Sequence, residues 1–310
     1  MRIDCHAHAA PVEYTAAVKE QSGGKFRRQS LWNEKERLEC MDQAQIDKQV
    51  LTFPAQRLYA RPEMSLALAR VLNDGIAAIC RKHPDRFIGF CTLPLQRPDD
   101  AAQELQRAVH ELGLRGVTVL SNIDGRTLDE PEFQETFGRI DEMKLPVFIH
   151  PGERTDFPQA WRSFELDHYI GWPVDTAFCL GKMICSGMLD SCQNITWLVS
   201  HMGGPIHTLL ARIDRSRHQG TARKLPADYL KSFYYDTAGP SHPGAVMGAV
   251  YTVGIDHILF GTDLPFGEDG DYVERAIECV EGADLSAEQK DMIYRGNGQN
   301  LSTVKCDSIF

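Results

Sequence analysis

The sequence predicts an α/β chain wound into a single (β/α)8 TIM barrel. Eight short β-rich apolar runs alternate with longer segments of helical periodicity. That alternation implies a parallel sheet with helical crossovers, and eight units fit a closed barrel better than an open one. At 310 residues the chain has room for a barrel of about 250 residues plus insertions. A doubly wound open sheet is the competing arrangement.

In chain order the runs cover 2–6, 48–53, 87–92, 116–120, 146–150, 195–201, 233–236 and 258–261. The first starts directly behind Met1, which leaves no room for a signal peptide. Between the second and third, a helix is predicted over 64–83, where Leu66, Ala69, Val71, Leu72, Ile76 and Ile79 recur at three- and four-residue steps. Helices over 99–112 and 131–143 follow the same pattern, with Asp99 and Asp129 as expected N-caps. Two connections exceed what a βα loop needs, 9–33 after the first strand and 151–172 after the fifth. Long loops there lie on the catalytic face of a barrel. The second carries Phe157, Trp161, Phe164, Tyr169 and Trp172. They would either lid a flat organic acid or pack the loop against the rim. No linker or repeat divides residues 1–310, so one domain is expected.

Composition bounds the partners. Hydrophobic residues make up 43% and charged residues 25%, an ordinary globular profile. A formal charge of −10 argues against nucleic acid or an acidic membrane surface, since polyphosphate needs a basic face. No apolar run is long enough to cross a bilayer. Nine cysteines without a CxxC pair point to reduced thiols and a cytoplasmic protein.

The chemistry gathers at strand ends. His6 and His8 form a His-x-His on the first strand, and residues two apart on a strand face the same side. Cys5 between them is expected on the opposite face, as packing. His150 ends the fifth strand, His201 ends the sixth, and Asp263 follows the eighth. In a barrel these ends meet at one face. Any one of these histidines alone would read as an ordinary strand-end residue. Together, His6, His8, His150 and Asp263 read as the ligands of one divalent ion with a position left for water, as catalytic sites require. Zinc is the expected ion; manganese and cobalt suit the same donors. His201 would be a nearby acid/base group or an outer ligand. The other seven histidines are expected at the surface.

These residues also carry a family resemblance. Asp4-Cys5-His6-Ala7-His8, Ile149-His150-Pro151, His201-Met202-Gly203-Gly204 and Gly261-Thr262-Asp263-Leu264-Pro265-Phe266 resemble the motif series of the amidohydrolase superfamily. The match is to its branch containing 2-amino-3-carboxymuconate-6-semialdehyde decarboxylase. Further matching segments, among them Gly171-Trp172-Pro173-Val174-Asp175-Thr176 and Tyr235-Asp236-Thr237, extend it almost end to end. The resemblance implies a barrel of the metal-dependent hydrolase type, one zinc-like ion on the four residues named, and His201 as the acid/base group; Asp263 is expected to share with His201 in moving protons. Two-metal members bridge their ions with a modified lysine on strand four. The run 116–120 has none, which supports a single ion.

Relatives in this branch act on carboxylated aromatics or their ring-opened products, so the resemblance implies a small carboxylate substrate and a carbon–carbon lyase. Hydrolysis of a lactone, amide or ester, or hydration, would use the same groups. A barrel that binds without catalysing would expect gaps in the ligand set, and there are none. The resemblance also implies an arginine in the first long loop clamping a substrate carboxylate ahead of a Leu-Trp pair. Arg27 fits, ahead of Leu31-Trp32, with Arg28 open beside it. Arg154 and Trp172 are further candidate substrate contacts. Gly152-Glu153-Arg154 and Met202 depart from the decarboxylase pattern at the pocket, so the identity of the acid is not carried over. Barrels of this branch often pair, which allows a homodimer.

Overall fold

The computed structural model describes residues 1–21, 32–154, 156–239, 242–266 and 271–299. Eight parallel strands form one barrel: β1 (Arg2–His8), β2 (Ile46–Thr52), β3 (Phe87–Gly89 and Cys91–Thr92), β4 (Val117–Leu120), β5 (Pro146–His150), β6 (Thr196–Val199), β7 (Phe233–Asp236) and β8 (Ile258–Leu259). Each occupies the position the sequence predicts. β3 is interrupted at Phe90; its first half pairs with β2 and its second with β4, joining a three-stranded and a six-stranded sheet into the sequential order 1 to 8.

The ring closes beyond the end of β8. The amide of Cys5 donates to the Phe260 carbonyl at 2.8 Å, Asp263 to His6 at 2.8 Å, and His8 to Leu264 at 2.7 Å, with a parallel bridge between Ala7 and Leu264. The open-sheet alternative is thereby ruled out.

Side chains alternate across the strands as the two-residue period demands. Val147 and Ile149, Trp197 and Val199, Phe233 and Tyr235, and Ile258 and Phe260 join the large core between sheet and helices. The inner cluster, which plugs the barrel, is made by Ile3, Cys5, Val50, Phe90, Phe148, Leu198 and Leu259. Cys5 therefore faces inward, contrary to the expectation from strict alternation. The register of β1 against β2 shifts between Asp4 and Ala7, and a bulge there places Cys5 on the inner side along with His6.

The helices α1 (Val12–Gln21), α2 (Glu34–Gln43), α3 (Ser65–Lys82), α4 (Pro98–His110), α5 (Pro131–Glu142), α6 (Trp172–Cys185), α7 (Pro243–Val253) and α8 (Tyr272–Glu281) surround the sheet. Helices α3 to α5 follow the predicted periodicity. Their predicted caps need correction. Arg97 and Glu130 occupy the N-cap positions of α4 and α5, each followed by a proline at the start of the helix. The proline's fixed φ and missing N–H begin the helix without a side-chain cap. Asp129 pairs instead with Lys182 at 3.2 Å. The segment 9–33 is only partly loop, because α1 buries Tyr14 and Val18 one turn apart. The segment 151–172 contains a 3-10 helix at Gln159–Glu165 and a π-helical turn at Asp167–Gly171. No helix among the described residues is long and apolar enough to cross a membrane.

Candidate metal centre

His6 and His8 both project from β1 into the top of the barrel. His150 enters from the end of β5, and Asp263 from the turn that completes closure. One potential ligand atom from each of these four buried residues lies within 4.8 Å of all the others. His6 Nε2 and His8 Nε2 are 2.9 Å apart, and Asp263 Oδ1 lies 2.9 Å from His8 Nε2 and 3.3 Å from His6 Nε2.

The other face of each imidazole is fixed. His6 Nδ1 donates to Asp236 Oδ2 at 2.9 Å. His150 Nδ1 donates to the Pro151 carbonyl at 3.0 Å. His8 Nδ1 sits 3.2 Å from Thr52 Oγ1 and 3.4 Å from the Thr52 carbonyl. With hydrogen held outward on Nδ1, the Nε2 lone pairs point at one another and at a carboxylate. That is a cradle of Lewis bases made for a cation, and the donor set fits a divalent first-row ion.

The electrostatics follow from burial. Burial pushes the His8 imidazole down to about 4 and His150 well below its ordinary range. Burial also works against a charged His6, but Asp236 and Asp263 overcome it and lift that group to about 10. Asp263, despite burial, is held well below the usual carboxylate range by His6, His8 and His201. A proton on His6 thus balances the carboxylates when no metal cation does.

His201 stands beside this group, its ring centroid 5.0 Å from that of His6 and 5.6 Å from His150. Its Nδ1 donates to the Ala238 carbonyl at 3.1 Å, which leaves Nε2 as the basic atom. Its backbone lies in the left-handed region, followed by Met202, Gly203 and Gly204 at positive φ. Gly204 is obligatory: a Cβ there would come 2.1 Å from the Pro173 carbonyl oxygen at the start of α6.

Asp236 carries no role expected from sequence, although an aspartate ending predicted strand seven is a visible signal. One oxygen orients His6, and the other accepts the backbone amides of His201 at 2.9 Å and Ala238 at 3.0 Å. A buried chain beneath the ligands is likewise not legible in the sequence. Asp4 accepts from Thr262 Oγ1 at 2.6 Å, from Gln49 Nε2 at 2.8 Å, and from the amides of His6 and Thr262 at 3.0 Å each. Arg37 of α2 continues this chain. The signal was weak, because nothing in a polar, exposed-looking helix marks one arginine as buried.

The expected substrate residues are less gathered. Arg27 and Arg28 lie outside the described residues. Arg154 is committed to carboxylates: it pairs with Asp156 at 2.5 Å and with Asp175 at 3.0 Å. Asp175 also accepts from Ser121 at 2.5 Å and Asn122 at 2.8 Å. Trp172 opens α6, its ring 4.2 Å from that of His168 in an edge contact. Trp161, Phe164 and Tyr169 are exposed rather than packed on the rim. Three histidines expected at the surface are partly buried instead. His207 lies 2.7 Å from Thr252 Oγ1 and edge-on to Tyr235, His257 Nδ1 donates to the Phe233 carbonyl at 3.0 Å, and His83 lies 3.4 Å from Glu34; His168 is exposed, as expected.

Comparison with known proteins adds to this geometry. A family model described as amidohydrolase matches residues 3–301. The chain is 30% identical over 288 residues to a gamma-resorcylate decarboxylase of Rhizobium radiobacter, covering 86% of this chain and 85% of that one. It is 29% identical over 334 residues to the 2-amino-3-carboxymuconate-6-semialdehyde decarboxylase of Dictyostelium discoideum, covering 96% and 90%. A solved structure of 5-carboxyvanillate decarboxylase from Novosphingobium aromaticivorans, complexed with manganese and 4-hydroxy-3-methoxy-5-nitrobenzoic acid, superposes with a TM-score of 0.85 at 26% identity, covering 97% and 95%.

Proposed function

Since this chain belongs to the amidohydrolase family, we propose that it is a metal-dependent decarboxylase of a carboxylated aromatic or muconate-type acid. Relatives spanning most of its length are decarboxylases. The reading rests on one observation: the imidazoles of His6, His8 and His150 are fixed at Nδ1 while their Nε2 atoms converge on Asp263. These four residues would hold one divalent ion. Zinc is the proposed ion, with manganese and cobalt accepted by the same donors. When bound, the ion supplies a Lewis acid that draws electron density from a substrate oxygen.

The chain's own residues supply the rest. His201 and Asp263 hold and pass the proton, His201 at Nε2. A proton delivered to the carbon bearing the carboxylate takes an electron pair from the conjugated system. The C–C bond then breaks, its pair restores that system, and the carboxylate leaves as CO2. Arg27 is proposed to pair with a carboxylate, and Trp172 to offer a flat wall. Arg154 is reassigned, because its guanidinium serves Asp156 and Asp175; it holds the loop after β5 to α6.

The test is product analysis on metal-loaded protein with ring-hydroxylated benzoates and muconate-type acids. Stoichiometric CO2 release is expected, with kcat falling about 10²–10⁴-fold in His201→Asn, the usual contribution of a positioned acid or base. Ring opening or hydration without CO2 would reject decarboxylation in favour of hydrolase or hydratase chemistry. Binding without turnover would leave a non-catalytic barrel.

A homodimer is the proposed assembly, supported by the run of exposed Trp161, Phe164, Leu166, Tyr169, Ile170 and Phe178; a monomer by sedimentation equilibrium would reject it. A cytoplasmic site of action is proposed from the free thiols of the described cysteines.

A further inference from the structure

We infer that Arg37 is a positioning residue for the metal centre, clasping the seam where the first and last strands of the barrel meet. This rests on the proposed ligand set. Arg37 lies on α2 and is only 4% exposed. Its Nη2 donates to the His8 carbonyl at 2.5 Å. Its Nη1 lies 3.4 Å from the Leu264 carbonyl and 3.3 Å from Gln49 Oε1. One of those carbonyls belongs to a proposed ligand, and the other to the residue directly after a second ligand.

The geometry explains why a clasp is needed. Asp263 has φ +63°, a left-handed conformation that a non-glycine residue keeps only where its surroundings enforce it. The turn carrying it lies beyond the last regular residue of β8, where the pairing with β1 is irregular and rests on the Asp263 amide to the His6 carbonyl and the Ala7–Leu264 bridge. It is held from two sides: Thr262 is bonded to Asp4, and the Leu264 carbonyl accepts from both the His8 amide and Arg37. Gln49 links the two, since its amide nitrogen donates to Asp4 while its oxygen accepts from Arg37. A planar guanidinium with five donors spans acceptors on two strands and a third side chain at once, which an ammonium cannot do.

Charge alone would act in the opposite sense. A buried cation beside a metal cation repels it, so removing the charge should tighten metal binding if electrostatics were the whole effect. A clasp predicts weaker binding whenever the fork is lost, whether or not the charge stays.

The experiment measures Mn2+ dissociation constants by electron paramagnetic resonance of free Mn2+ for wild type, Arg37→Lys and Arg37→Met, with circular dichroism of each metal-free protein as the check on folding. Wild type should bind one ion per chain, and both folded variants should bind at least tenfold more weakly. Affinities within twofold of wild type, or tighter binding by Arg37→Met, would overturn the clasp while leaving the ligand set intact. A wild type that binds no ion would overturn the metal reading and the clasp with it. Should both variants fail to fold, Gln49→Met cuts the link to Asp4 and is expected to weaken Mn2+ at least threefold; unchanged affinity there would sink the idea.

Discussion

Each histidine at the centre has one nitrogen tied down, yet the tying atoms differ in kind. His150 and His201 are held by backbone carbonyls, of Pro151 and Ala238. His6 is held by a carboxylate, Asp236. A carboxylate both fixes the ring and raises its basicity, so its loss should be felt more sharply. Asp236→Asn is expected to weaken metal binding by about 10–100-fold, read by titration of the metal-free protein. Retention of wild-type affinity would show that the ring is oriented by packing against Phe148 instead. At this scale the sequence was most legible where a residue's type and its place on a strand agree, as for His6, His8, His150 and Asp263. It was least legible for Arg37 and for the inward turn of Cys5. Burial of the first and the bulge behind the second arise from contacts with residues far along the chain.

The connections are where elements departed from expectation. The 201–204 turn holds four successive residues at positive φ and presses against Pro173 at the start of α6. It was readable as a motif but not as a shape, because only the approach of α6 shows why the last glycine cannot carry a side chain. Gly204→Ala should destabilise the fold by about 2 kcal/mol or more, the range for a strained, clashing backbone site, and displace His201. Chemical denaturation together with kcat would check this; unchanged values in both would mean that α6 yields freely. The hidden helix α1 was missed for a related reason. Its buried side chains are few, Tyr14, Thr15 and Val18, so the sequence shows little periodicity there. Helices α3 to α5, each burying a full face on the sheet, were plain from their spacing.

For the whole molecule, the buried histidines set an acid limit on the metal-free protein. His8 and His207 titrate near 6.5 when unfolded but near 4 when folded, through burial, and His150 is lowered in the same way. As pH falls from about 6.5 to 4 the unfolded chain takes up protons first, so the stability present above 6.5 is lost across that window. Asp4, raised by burial to about 6, works in the opposite sense, against these three histidines and His168, which burial also lowers. The melting temperature of metal-free protein should therefore fall between pH 6.5 and 4, and His207→Gln should flatten the slope; a level profile would contradict the burial of these rings. The architecture itself was legible because eight strand signals and their order leave few other arrangements, whereas closure depends on the irregular segment 260–264, which no periodicity marks. Closure has a consequence for biosynthesis. His6 and His8 are made long before Asp263. A growing chain can bring the two histidines together early, but it lacks the carboxylate until the eighth strand and its turn have emerged. A nascent or truncated chain would hold an ion weakly, so tight capture marks the moment when synthesis has delivered the whole ring.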